Sequence, residues 1–394
     1  MRSLSIVCLA VCLCFSIAAA GDTIKREFST EAGKLLDIEL DTGGSITIMG
    51  WDKNEAEITV FRQGRDWRDC QFDINERSSG IQIISEFDHK WQNKNTDVHV
   101  EIKVPQKYDL DIKTLGGDVN IENITGKIRG TTYGGDLLFD NLDGDLDFHT
   151  MGGTISCSRI NGEMDITTNG GEISCTDSKV NGRAHTNGGD INIRSVSGNL
   201  ECTTNGGRVR YDNEGKSAQS PQVDDVVTIK TMGGDINLDE APYGADVKTN
   251  GGDITIKKAG KFIIAKTNGG DIEIDEVDGW VEAKTNGGDV SVNMVDRGAY
   301  KDHAIELSSY GGEITLILPK NFSGQFDIEL AYTKNARRKY KIISDFDIKS
   351  RESDNWDYDR GSPRKYIDGT GIVNDGKNKV RIKTINGDVI IKKG

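Results

Sequence analysis

A tract that can be written TNGGDI returns through this chain from Gly116 to Gly312, its glycine pairs beginning at 116, 134, 152, 170, 188, 206, 233, 251, 269, 287 and 311. All but two of the intervals are 18 residues. Self-similarity at so short a period predicts a solenoid, because one such unit can bury its apolar face only against its neighbours.

With the first glycine as position one, apolar residues recur at positions four, six, nine, thirteen and fifteen, followed by threonine at seventeen. Ile272, Ile274, Val277, Val281, Ala283 and Thr285 show the pattern in one unit. Spacing of two is strand periodicity, and clusters of three to five residues are too short for helices. Gly279 repeats the glycine-then-alternation pattern nine residues after Gly270. Two short strands per coil, each followed by a glycine turn, give an all-β fold: a parallel β-solenoid (β-helix or β-roll) of about 18 residues per coil. Paired glycines are expected at the first corner because they supply φ > 0, which other residues avoid.

Stacked coils place like residues about 4.8 Å apart, so each position becomes a ladder. Thr249, Thr267 and Thr285 belong to an inward hydroxyl column, and Asn250, Asn268 and Asn286 to an amide column at the bend. Asp253, Asp271 and Asp289 form an outward carboxylate column, opposed by Lys230, Lys248, Lys266 and Lys284. A facing lysine stack is the expected compensation for stacked carboxylates. These residues are read as structural ladder.

Four segments are expected. Residues 1–20 read as a signal peptide: Arg2, an apolar run from Leu4 to Ile17, then three alanines before Gly21. Residues 21–113 keep strand alternation without the period and read as N-terminal capping strands of the solenoid. Residues 114–318 hold the regular repeats. Residues 319–394 read as a C-terminal cap with a long insertion (337–378) and a final coil through Val380, Ile382 and Thr384. An exported protein follows, placed in the periplasm, at the cell surface or in the medium. Cys157 and Cys175 occupy position six of consecutive coils, within bridging range, but an apolar column there argues for buried free thiols.

The stretch "VEIKVPQKYDLDIKTLGGDVNI", its echo "GGEITLILPKNFSGQFDIEL" and the ending "NKVRIKTINGDVIIKKG" resemble the bacterial "putative adhesin" family of β-strand-repeat domains, a domain of unknown function. The resemblance spans nearly all the chain after residue 20. It implies an exported parallel β-solenoid and brings no catalytic residues with it. The strict period and the 337–378 insertion depart from the family's looser pattern.

A structural or adhesive, non-enzymatic envelope protein is therefore expected, with an envelope glycan or surface protein as candidate partner. The excess of 63 Asp and Glu over 49 Lys and Arg argues against nucleic acid. A calcium-binding β-roll is one alternative, but such sites need carboxylates at both glycine turns, and the second turn offers Lys127, Asp145, Glu163, Asn199 and Trp280. A polysaccharide-active β-helix enzyme is another; it needs a clustered acid–base pair, whereas these carboxylates form a uniform lattice. His149 and His185 share one outward position two coils apart, about 9.6 Å, too far for one metal. No cofactor, catalytic residue or metal ligand is assigned. The candidate binding loop is the insertion, through Trp356, Tyr358, Arg360 and Tyr366, since loops on rigid scaffolds carry recognition. A further interruption lies between Tyr211 and Asp225.

Overall fold

The computed structural model describes residues 21–88, 95–212, 225–336, 338–359 and 361–394. The expected signal peptide, Arg337, Arg360 and most of the 211–225 interruption lie outside the described residues. The fold is all-β and β-solenoid-like; the one helical turn among the described residues, Trp67–Asp69, is 3-10. No helix among the described residues is long and apolar enough to cross a membrane.

Through the repeats the strands pair in parallel. Leu137 lies between Val119 and Ile155, and Thr150 between Thr132 and Thr168, an offset of 18 residues on either side. The same offset joins Ile254 to Ile272 and Ala265 to Ala283. Two short strands per coil hold only in part. Val119–Thr132, Leu137–Thr150 and Ile155–Thr168 run continuously through the second corner. Elsewhere the halves separate, as in Ile191–Arg194 and Leu200–Thr204. In the continuous strands the bend is absorbed by one left-handed residue per coil, Asn123, Asn141 or Arg159, which the pairing skips, and then by Gly126, Gly144 or Gly162, also at positive φ.

Alternation delivers the interior. Ile236, Ile254, Ile272, Val290, Ile314 and Val389 stand one above another, all at most 1 % exposed. Burying each such side chain contributes roughly 1.5–3 kcal/mol, multiplied along the stack. The interior is a continuous hydrophobic column, leaving only corners, outward faces and interruptions free for function.

The two ends differ from the middle. Leu35–Leu40 sits in parallel between Gly80–Phe87 and Asp109–Thr114, whereas Gly21–Ser29 runs antiparallel to Glu55–Gln63, and Cys70–Arg77 antiparallel to Gly80–Phe87. At the other end, the coil closest to the C terminus in sequence is not outermost in space. Asn378–Ile385 lies between Ile305–Ser309 and Gly324–Thr333, and Val389–Lys393 between Ile314–Leu318 and Ile342–Ser344. The chain thus builds an outer layer first and afterwards slides its final coil beneath it.

Candidate functional site

The TNGGDI corner is held by three interlocking sets of hydrogen bonds. The Thr267 hydroxyl donates to the Gly252 carbonyl of the preceding coil (2.9 Å) and accepts from the Gly270 amide of its own turn (3.3 Å). Thr249 and Thr285 donate likewise to Gly234 and Gly270, each at 2.9 Å. Asn268 Nδ2 donates to Asn250 Oδ1 (3.2 Å), and Asn286 Nδ2 to Asn268 Oδ1 (2.9 Å). Each buried hydroxyl therefore ties a turn to the coil before it, as its burial requires.

The carboxylates are satisfied differently from the sequence expectation. Asp253 Oδ1 accepts the backbone N–H of Asp271 (2.8 Å), Asp271 Oδ1 that of Asp289 (2.7 Å), and Asp289 Oδ1 that of Glu313 (2.7 Å). The lysine column turns to other partners: Lys230 to Glu201 (2.6 Å), Lys248 to Asp246 (2.9 Å), and Lys266 and Lys284 both to Glu282 (2.9 and 2.7 Å). A backbone amide is a fixed donor at the coil spacing, whereas a lysine must be ordered first, so the amide is the better local compensation.

The glycine expectation also needs correction. At Gly270 the constraint is close approach rather than a left-handed backbone: a Cβ there would lie 2.1 Å from the Gly252 carbonyl oxygen. The first glycine is looser, since a Cβ on Gly269 would come no nearer than 3.3 Å, to Gly251 O. Positive φ is instead found at the second corner, as at Gly279 (152°).

Where asparagine is replaced at the bend, the substitutes face solvent. Leu115, Tyr133 and Met151 occupy this position in three consecutive coils and are exposed, as are Met232 and Tyr310 further along. The cysteines Cys157, Cys175 and Cys202 are free and buried. Burial pushes the Cys175 thiol up to about 11 and raises those of Cys157 and Cys202, so none is a nucleophile.

The insertion is largely folded against the outer layer. Arg364–Val373 pairs antiparallel with Gly324–Thr333 along ten positions, and Lys349–Glu352 adds to its other side. Trp356 is half-buried, its ring edge-on to Tyr332 at 5.7 Å with Lys365 over its face. The Tyr366 hydroxyl donates to Asp357 (3.1 Å). Tyr358 is exposed. Trp356 and Tyr366 thus serve packing within the cap, while Tyr358 faces outward.

One constellation was missed by the sequence reading. The interval from Gly287 to Gly311 is 24 residues rather than 18, and its extra residues bring Asp296 and His303 to Asp278 of the coil below. His303 Nε2 lies 3.1 Å from Asp278 Oδ1, and both side chains are almost wholly buried. The lengthened interval was the available signal. The histidine's approach to a second-corner aspartate was not visible, because that corner slips in register from coil to coil.

Among curated proteins no match is found. Solved structures that resemble the chain include a "putative cell adhesion protein" from Clostridium sporogenes (11 % identity, 95 % of this chain and 100 % of that one, TM-score 0.19). A "putative adhesin" from Bacteroides fragilis follows (16 % identity, 64 % and 96 %, TM-score 0.30). A "putative lipid binding protein" from Parabacteroides distasonis is also similar (12 % identity, 73 % and 98 %, TM-score 0.30). Identity and superposition are low, so what those names say stays with those proteins. The Toastrack DUF4097 family model matches residues 21–266, more than half of the sequence, and the chain belongs to that family, an adhesin-like group of unknown function.

Proposed function

We propose that this protein is an exported, non-enzymatic element of the cell envelope or its surroundings: a parallel β-solenoid of 18-residue coils that acts as a stiff structural or adhesive rod. The observation that carries the reading is the use made of the corner. Its hydroxyls, amides and carboxylates bond to the neighbouring coil, as Thr267, Asn268 and Asp271 do, so the repeat that dominates the sequence serves assembly. Contact with a partner then falls to side chains the ladders leave outside. Leu115, Tyr133 and Met151, exposed in successive coils along one edge, form the candidate contact stripe, with Tyr358 a second position on the cap. An envelope glycan or a surface protein is the fitting partner, since an edge of exposed aromatic and apolar groups can stack on a sugar face or pack on a protein.

The test is a binding screen of the purified protein against glycans and fractionated envelopes, repeated with Leu115, Tyr133 and Met151 all changed to asparagine. Asparagine already fills this position in Asn169, Asn187 and Asn205, so the triple variant extends an existing ladder and keeps the fold. Binding reduced at least tenfold with unchanged melting supports the stripe. Binding that survives intact removes it as the contact surface.

A further inference from the structure

The chain leaves the strand Val290–Met294 and returns at Ile305–Ser309, and the excursion between them is pinned on both sides of Asp278. Val295 N–H donates to Val277 O and Ala304 O accepts from Val281 N–H, each at 2.9 Å. The loop is fixed further out as well: the Tyr300 hydroxyl donates to Pro242 O (2.9 Å) and the His303 backbone N–H to Asn378 Oδ1 (3.3 Å). His303 is thereby seated on Asp278. Asp296, at the exposed mouth, accepts the Gly298 N–H (3.0 Å) in its own turn. One donor atom from each of Asp278, Asp296 and His303 lies within 4.8 Å of the other two.

We propose that Asp278, Asp296 and His303 form a binding site for a first-row divalent transition ion of the zinc class. A buried carboxylate is stable only when its charge is answered, and a second carboxylate beside it raises the demand. The loop's own cations do not answer it: Arg297 is bonded to Glu276, and Lys301 is exposed. With the imidazole neutral the three groups carry two negative charges, matched by one divalent ion. An imidazole among the donors selects zinc-like ions over calcium or magnesium, which take oxygen. The 3.1 Å between His303 Nε2 and Asp278 Oδ1 is close to the edge, roughly 3.4 Å, of a tetrahedron with ligands at 2.0–2.2 Å. Asp296 closes the third corner by a small side-chain rotation, and water takes the fourth position. An ion here would fasten the loop to the coil beneath it.

The site is tested by titrating the metal-stripped protein with Zn2+ in a calorimeter and melting it with Zn2+ or Ca2+. The Asp296→Asn and His303→Gln variants are measured alongside. The expected result is one zinc per chain and a higher melting temperature with Zn2+ but not with Ca2+. Asp296→Asn should weaken zinc binding at least tenfold, and His303→Gln should abolish it. Asp296 is exposed, so its variant keeps the fold even if the His303 variant does not. Failure of the unaltered protein to bind zinc, or zinc affinity unchanged by Asp296→Asn, overturns the proposal.

Discussion

Gly269 and Gly270 are adjacent and chemically identical, yet they tolerate different things. A methyl group on Gly270 would meet the Gly252 carbonyl oxygen at 2.1 Å, whereas one on Gly269 finds its nearest atom at 3.3 Å. Gly270→Ala should therefore destabilise by about 2–3 kcal/mol through forced separation of two coils, and Gly269→Ala by less than about 1 kcal/mol. Urea unfolding of the two variants checks the difference; equal losses would remove the close-approach account. The importance of the pair was legible in the sequence, because its spacing never slips. Its cause was not, since a glycine required by a neighbouring backbone and one required by its own φ look alike in one dimension. The partner of the aspartate was hidden for the same reason: a backbone amide leaves no trace in a residue column, but a facing lysine does.

At the scale of the element, strand, corner and alternation could all be read from periodicity, including the interior column from Ile236 to Val389. The continuity of strands such as Val119–Thr132 through the second corner was not readable, because it rests on left-handed backbone at Asn123, a residue type that tolerates this conformation without announcing it. The candidate loop was located correctly as an interruption, but its aromatic residues could not be sorted. Trp356 and Tyr366 pack, and Tyr358 is exposed, a distinction that depends on the antiparallel pairing of Arg364–Val373.

Outward columns still carry measurable electrostatics. Burial raises the Glu282 carboxyl, but hydrogen bonds from Lys284 and Lys266 outweigh it, so it titrates below the ordinary 4.5. A lowered carboxyl contributes stability that is complete above its unfolded value and lost as pH falls through the folded one. Unfolding midpoints should therefore decline below about pH 4.5, and Glu282→Gln should flatten that acid limb by about 0.5–1 kcal/mol, the scale of a partly exposed ion-pair network. An acid limb identical in the variant would show that the network contributes nothing.

Over the whole molecule the period predicted a stack, but not its order of assembly. The coil from Asn378 to Lys393 is last in sequence and lies beneath strands that precede it, Gly324–Thr333 and Ile342–Ser344. Sequence proximity could not reveal this, because an in-register coil fits over any other, and the 337–378 insertion is long enough to allow the return. The loop between Met294 and Ile305 shows the same limit on a smaller scale, since only the stack brings its histidine to Asp278.

The central claim is that the 18-residue coil, closed at the Thr-Asn-Gly-Gly-Asp corner, is the unit of structure. Deleting residues 252–269 removes one unit of 18 and joins Gly251 to Gly270, restoring an intact corner. Deleting residues 252–260 removes nine and sets each later corner over the wrong side of the coil before it, breaking the threonine and asparagine ladders. Because repeat arrays are stabilised unit by unit through nearest neighbours, the first variant should keep strand content and a cooperative urea transition. The second should lose cooperativity. Circular dichroism through a urea titration of both is the decisive measurement, and equal tolerance of the two deletions, or equal collapse, would contradict the account.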